Sequence, residues 1–346
     1  MSVLACRIIT RDKQRVAEHG KFHGMNDSKE RAARGKRNPS RCRDSTEGSR
    51  GGALARRKLG LVLSSGGARG AAHVGVLRAL EDAGMAPDIL VGASMGAQVG
   101  GSYAAGVPVT EMADYWQSSS FLRVMRTLLP TAPWFGWSSG REVTRVLTRF
   151  LGDRRLEDLR TPFVAVATDL ESGLPVELSR GPMVDAIRAS LSVPGLFTPV
   201  WIDGRLLIDG GVSNPLPIDV ARAMGADVVV AVDVLVDPDE VELSGFPVLD
   251  RRSGVLGFTR SMSVAVDSGD HRFRPSVFRV LFQMSTVFQK RLANLMIAAH
   301  PPDLLIRPDF SADPPCYSRV GGGIDAGEEA ARAVISDIHR LLDEGS

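Results

Sequence analysis

From Lys58 onward, short apolar runs alternate with stretches whose apolar residues recur at helical spacing. Leu59 to Leu63 is apolar throughout and ends in Ser64-Ser65-Gly66-Gly67; Val74, Leu77, Leu80 and Ala83 then fall on one helical face. The pattern predicts a strand, a glycine turn and a helix. Ile89 to Val91 begins the same unit again, with Gly92-Ala93-Ser94-Met95-Gly96 as its turn and an Ala/Gly-rich helix reaching Gly106. Further strands are predicted at Phe163 to Thr168, Val176 to Leu178, Leu206 to Ile208, Asp227 to Val234 and Leu304 to Ile306. Helices are predicted near Arg141 to Leu151, Pro182 to Ala189, Ile218 to Met224 and Ala326 to Leu342. Strand and helix alternating in this way predict an α/β fold with a central, mostly parallel sheet in one domain.

Three segments stand apart. Residues 236–273 are irregular, rich in Ser, Gly and charge, and read as an insertion. Ser276 to Ala299 then resumes helical spacing, with Val277, Val280, Leu281, Met284, Val287, Phe288 and Leu295 on a stripe expected to pack against the sheet. Phe121 to Trp137 concentrates Phe121, Leu122, Leu128, Leu129, Trp134, Phe135 and Trp137, either as a lid or lipid-contact surface or as a loop over the core. Ile89 to Pro108 is free of charge, but its Gly and Ala make it too weakly apolar for a membrane span.

Composition changes the picture only at the start of the chain. The first 57 residues carry 15 Lys and Arg against 6 Asp and Glu and are poor in aromatics, so residues 1–57 read as a basic disordered leader ahead of a folded domain at 58–346. Such a leader is a solvated tail, a stretch upstream of a true start at Met25, or a contact for anionic surfaces. Nothing in the folded part points to nucleic acid as a partner. Cys6, Cys42 and Cys316 have no paired spacing, which fits a reducing compartment and excludes a cysteine-built metal site. With no basic n-region followed by an apolar core at the start, the expected location is cytoplasmic, with the membrane surface as a place of peripheral contact.

The chemistry is concentrated in three short motifs. Gly92-Ala93-Ser94-Met95-Gly96 is G-x-S-x-G between a predicted strand and helix, the setting of a nucleophile elbow, where Ser94 is exposed on a tight turn and Gly92 and Gly96 avoid clashes. In a glycine-rich chain the motif also arises by chance. About thirty residues earlier, Gly66-Gly67-Ala68-Arg69-Gly70 joins strand to helix, so backbone N–H groups and a helix N-terminus converge where an anion can rest. Neither G-x-x-x-x-G-K-[ST] nor G-x-G-x-x-G is met, which argues against a nucleotide. Asp209-Gly210-Gly211 follows the strand Leu206 to Ile208; taken singly, it reads as a turn.

In this order and spacing the three motifs resemble the patatin-like phospholipase family, whose members carry G-G-x-[RK]-G, then G-x-S-x-G, then D-G-[GA]. Ala189-Ser190, the segment Val193 to Val200 and Asn214-Pro215 extend the likeness, which covers residues 59–235 best, and the closing strand and helix resemble the bacterial branch related to neuropathy target esterase. The resemblance implies a patatin-like three-layer α/β/α sandwich and a Ser-Asp dyad, with Ser94 as nucleophile and Asp209 as base. It also implies an oxyanion hole from Gly66, Gly67, Ala68, Arg69 and Gly70, a nucleophile elbow of Gly92, Met95 and Gly96, and a motif completed by Gly210 and Gly211. Each oxyanion donor is worth roughly 3–4 kcal/mol in such sites. Arg69 either pairs with a lipid phosphate or makes a structural ion pair. The implied substrate is a lipid ester, whether phospholipid, lysophospholipid or a simpler ester. No cofactor or metal is expected, since a dyad needs none and no calcium-loop pattern occurs.

Two other functions remain open at this point. An α/β-hydrolase triad would need His300 or His271 as its base, whereas His73 is explained by packing. A non-catalytic lipid-binding or regulatory protein on the same fold would keep the motifs without turnover.

Overall fold

The computed structural model describes residues 56–118, 138–235, 237, 277–310 and 321–344. Most of the leader, the segment Phe121 to Trp137 and the insertion apart from Asp237 therefore lie outside the described residues. Arg56 and Arg57, read above as the end of the leader, bond to Asp88 and to the carbonyls of Leu341 and Asp227.

Among the described residues eight strands form one sheet: β1 (Leu59–Leu63), β2 (Ile89–Ala93), β3 (Phe163–Asp169), β4 (Pro175–Leu178), β5 (Val200–Ile202), β6 (Arg205–Asp209), β7 (Val228–Val232) and β8 (Leu304–Ile306). β3, β2, β1, β7 and β8 are parallel neighbours in that order. β4 and the β5–β6 hairpin are antiparallel. The order reverses at β1, which has β2 on one side and β7 on the other, and ligands of open α/β sheets gather at the strand C-termini around such a point.

Among the described residues the α-helices are α1 (Ala72–Asp82), α2 (Met95–Ala104), α3 (Val109–Gln117), α4 (Arg141–Leu151), α5 (Met183–Ser190), α6 (Ile218–Ala223), α7 (Val277–Ala299), α8 (Gly321–Arg332) and α9 (Ile335–Asp343). Alternate residues of the central strands point to opposite faces, and both faces are covered. Leu59, Leu61, Leu63, Leu90 and Val230 pack with α1 to α5, α8 and α9. Val62, Val91, Val164 and Val229 pack with α6 and with Ala293 of α7. The result is a mixed α/β sandwich around a central sheet.

Four details depart from the sequence pattern. β5 and α3 were not expected. The closing helix is two helices, α8 and α9, with Ala333 and Val334 between them. Of the apolar stripe of α7, Met284, Phe288 and Leu295 do not lie on the sheet, being 44%, 61% and 64% exposed, while Lys290 and Ala293 are buried; the side chains of Val277, Val280 and Leu281 lie outside the described residues. An ion pair fixes the rotation of this helix, because Lys290 Nζ reaches the buried Asp233 carboxylate at 3.0 Å.

Candidate active site

The pairing of β3 explains why Ser94 and Asp209 meet. Along one edge, β3 pairs with β2 from Phe163 to Val166, the last rung being Ala93 opposite Val166. The β4 pairing occupies the other edge at Ala165 to Thr168, so β6, which pairs at Ala167 to Asp169, must continue along the β2 edge. The next rung after Ala93–Val166 is thus Asp209–Ala167. The chain leaves the sheet at Ser94, and the end of β6 occupies the space it vacates.

Ser94 adopts φ 53° and ψ −117° between β2 and α2, a left-handed conformation that costs a non-glycine residue energy and sets its side chain at the strand tip. A Cβ on Gly96 would overlap the Leu63 carbonyl, so the turn closes only with glycine there. Ser94 Oγ donates to Asp209 Oδ2 at 2.6 Å. Asp209 Oδ1 accepts from the Gly211 N–H at 2.7 Å, and Thr168 Oγ1 donates to the Asp209 carbonyl at 2.8 Å. Both residues are buried, with Ser94 6% and Asp209 1% exposed. Burial pushes the Asp209 carboxyl up to about 6, against the lowering effect of the bonds from Ser94 and Gly211.

The glycine loop lies beside the serine. Gly70 packs against the Met95 side chain so closely that a Cβ there would meet it at 2.5 Å. Gly67 to Ala71 forms a 3-10 turn, and the Arg69 N–H is committed to the Gly66 carbonyl at 3.2 Å. Gly67 and Ala68 open this turn and Met95 opens α2, so their N–H groups have no acceptor within their own helix. The Arg69 guanidinium lies 4.7 Å from the Phe310 ring centroid. His73 braces the loop from below: its Nε2 lies 2.9 Å from the Ser64 carbonyl, and burial pulls it down to about 4, keeping it neutral.

Several residues that the motifs do not announce complete the site. The Ser94 N–H donates to Ser190 Oγ, the Asp209 N–H donates to the Ser192 carbonyl, and Ser65 Oγ donates to Gln289 Oε1 of α7. The sequence signalled Ser190 only through the Ala189-Ser190 part of the resemblance and its place directly after a predicted helix, neither of which gave it a role. Among the described residues no histidine bonds to Ser94 or Asp209; His300 and His339 are exposed, and His271 lies outside the described residues. No group of three or more His, Cys, Asp or Glu suited to a metal occurs among the described residues, and none of their helices is long and apolar enough to cross a membrane.

Residues 61–222 match the family model described as patatin-like phospholipase. An uncharacterized NTE family protein of Mycobacterium tuberculosis (strain H37Rv) is 40% identical over 177 residues, which is 51% of this chain and 49% of that protein. Lysophospholipase nte1 of Aspergillus fumigatus is 38% identical over 186 residues, 52% of this chain and 12% of the fungal protein. Patatin-like phospholipase domain-containing protein 7 of Rattus norvegicus is 38% identical over 193 residues, 54% and 14% of the two chains. The chain thus spans about half the length of the mycobacterial relative and a smaller share of the other two.

Proposed function

Because this chain belongs, through residues 61–222, to the patatin-like phospholipase family and is related to the NTE family proteins, we propose that it is a serine acyl hydrolase acting on phospholipids, lysophospholipids or related lipid esters. The observation that carries this reading is the 2.6 Å bond from Ser94 Oγ to a buried Asp209 carboxylate whose pKa lies near 6. An ordinary aspartate is a weak base for a serine hydroxyl, and burial brings this one closer to the pH at which it must work.

In this reading Ser94 Oγ attacks the ester carbonyl while Asp209 Oδ2 takes its proton. Negative charge develops on the carbonyl oxygen and is received by the N–H groups of Gly67, Ala68 and Met95. The Ser94 N–H is held by Ser190, and the Arg69 N–H by Gly66, so neither belongs to the hole. The intermediate collapses, Asp209 returns the proton to the departing alcohol, and an acyl-serine remains. Water then attacks with Asp209 again as base, releasing the fatty acid and restoring Ser94.

The test is hydrolysis of a chromogenic acyl ester and of phospholipid vesicles by wild type, Ser94→Ala and Asp209→Ala, each verified as folded. Both substitutions are expected to lower kcat/KM by about 10³-fold or more. Full activity in Asp209→Ala would return the base role to a histidine, and a wild type inert on every ester would favour a binding protein.

A lipid surface is the partner this edge fits. The β3–β4 turn and the β5–β6 hairpin reach past the level of Ser94, and they carry Leu170, Leu174 and Trp201 at 49%, 64% and 66% exposure. Trp201→Ala is expected to weaken sedimentation with phospholipid vesicles about three- to ten-fold, in line with the apolar area removed, while hydrolysis of a soluble short-chain ester stays unchanged. Unchanged vesicle binding would remove the rim from the reading.

A further inference from the structure

Both reacting residues hang from one short stretch of backbone. Ser190, the last residue of α5, accepts the Ser94 N–H at 2.8 Å and donates its own proton to the Val166 carbonyl at 2.6 Å. Two residues later, the Ser192 carbonyl accepts the Asp209 N–H at 3.0 Å. Residues 190–192 therefore set the relative position of nucleophile and base, and their own placement becomes the question.

Arg188 answers it. Its side chain is buried, with the residue 5% exposed, and the guanidinium makes three bonds: Nη1 to Ser192 Oγ at 2.7 Å, and Nη2 to the carbonyls of Ser139 and Thr198, both at 3.1 Å. Ser192 Oγ in turn donates to the Arg188 carbonyl at 3.0 Å. The guanidinium carbon lies 5.3 Å from the Phe197 ring centroid, and a side chain at Gly140 would overlap the guanidinium. The three acceptors belong to separate stretches of chain: the end of α5, the approach to α4 and the far side of the turn at 193–197. That turn is itself joined to the approach to α4, because the Ser138 N–H donates to the Leu196 carbonyl and the Thr198 N–H to the Ser138 carbonyl.

No carboxylate among the described residues pairs with Arg188, and burial pulls its pKa down to about 10. A buried cation without a counter-ion is costly, and packing alone would be served better by Leu or Met. A planar fork of several N–H groups can reach all three acceptors at once, which neither a lysine nor an amide can do.

We infer that Arg188 is a positioning residue for the proposed hydrolysis, holding residues 190–192 so that the backbone of Ser94 and of Asp209 is fixed at the spacing of their hydrogen bond. The inference rests on the serine hydrolase reading. Misplacement of reacting groups by about 1 Å costs roughly 10²-fold in rate, so the predicted defect is in kcat.

The experiment uses the full chain with wild type, Arg188→Lys, Ser190→Ala and Ser192→Ala, the last removing one acceptor while leaving the guanidinium intact. Ester turnover and the rate of labelling by a fluorophosphonate are measured from pH 5 to 9, on protein shown to be folded by circular dichroism. Arg188→Lys is expected to lower kcat and labelling about ten- to hundred-fold with KM little changed. The acid limb should move above about 6, because a misaligned Ser94 hydroxyl no longer holds the Asp209 carboxyl down. Ser190→Ala and Ser192→Ala should shift the limb in the same direction by less. If the variants are less stable but keep wild-type labelling rates and the same limb, Arg188 is structural only and the inference fails while the hydrolase reading stands. A wild type that neither labels nor turns over removes both.

Discussion

Two aspartates lie buried at strand ends on the same edge of the sheet, and consecutive residues of α7 reach toward them. Asp233, after β7, is 3% exposed; its Oδ2 takes Lys290 Nζ at 3.0 Å and Arg307 Nε at 3.2 Å, and its Oδ1 takes the Leu235 N–H. Asp209, at the end of β6, is 1% exposed and among the described residues its carboxylate accepts only from neutral donors, the Ser94 hydroxyl and the Gly211 N–H. Where Lys290 faces Asp233, its neighbour Gln289 faces the Asp209 side: Gln289 Cδ and Asp209 Oδ1 each lie 2.9 Å from the position a Gly211 Cβ would take. A carboxylate given a buried cation becomes a brace that fixes a helix. One given a hydroxyl instead keeps its basicity.

The largest effect expected from breaking this contrast is on stability at the braced aspartate. Asp233→Leu leaves the Lys290 ammonium 4% exposed with only the more distant, half-exposed Asp237 at 3.5 Å, and should cost about 3–5 kcal/mol in urea denaturation. Lys290→Met together with Asp233→Leu should restore most of that loss. If the single change costs under about 1 kcal/mol, the ion pair does not hold α7.

At the other aspartate the sign reverses. The folded pKa of Asp209, about 6, lies above its unfolded value, so its stabilising contribution is complete below about pH 4 and is lost as pH rises through about 6. Asparagine at this position keeps a carbonyl for the Gly211 N–H and offers N–H to Ser94 Oγ, but cannot ionise. Asp209→Asn should therefore abolish hydrolysis and stabilise the protein at pH 8 by up to roughly 3 kcal/mol, the equivalent of two pKa units, with no gain at pH 4. A stability difference independent of pH would mean that Asp209 titrates alike in the folded and the unfolded chain, so that burial does not raise its pKa.

The side chains proposed to react were legible in the sequence as candidates and their supports were not, for a physical reason. Ser94, Asp209 and the Gly66 to Gly70 loop stand at strand ends, where glycine spacing leaves a local record. Ser192, Thr168, Arg188 and Gln289 act through bonds to residues distant in sequence, which no local pattern encodes, and the Ala189-Ser190 resemblance marked Ser190 without showing what it holds. The edge of the fold shows the same limit differently. β5 has only three residues, yet the two-residue turn Asp203-Gly204, with φ of 49° and 75°, is a hairpin signal present in the sequence. α3 also had its signal: Val109, Met112, Ala113 and Trp116 follow helical spacing after Pro108, and all four are buried. The stripe of α7 misled at Met284, Phe288 and Leu295 because the Lys290–Asp233 pair, a tertiary contact, outweighs the usual rule that the apolar face turns inward.

The sharpest way to join the two regions is to give Asp209 the neighbour that Asp233 has. Gln289→Lys places an ammonium on the residue before Lys290, within reach of the Gly211 side of the site, and removes the acceptor of the Ser65 hydroxyl. A nearby cation favours the charged form of the carboxylate, so the Asp209 pKa should fall and the acid limb of kcat/KM should move below about 6. A weaker base also accepts the Ser94 proton less readily, and the plateau rate should drop by about ten-fold, equivalent to roughly 1.4 kcal/mol. The direction of the limb is the deciding readout. A lower plateau with the limb unmoved would show that Gln289 matters only through its bond to Ser65, and a limb moved upward would show that the lysine enters the site neutral and only adds to its burial.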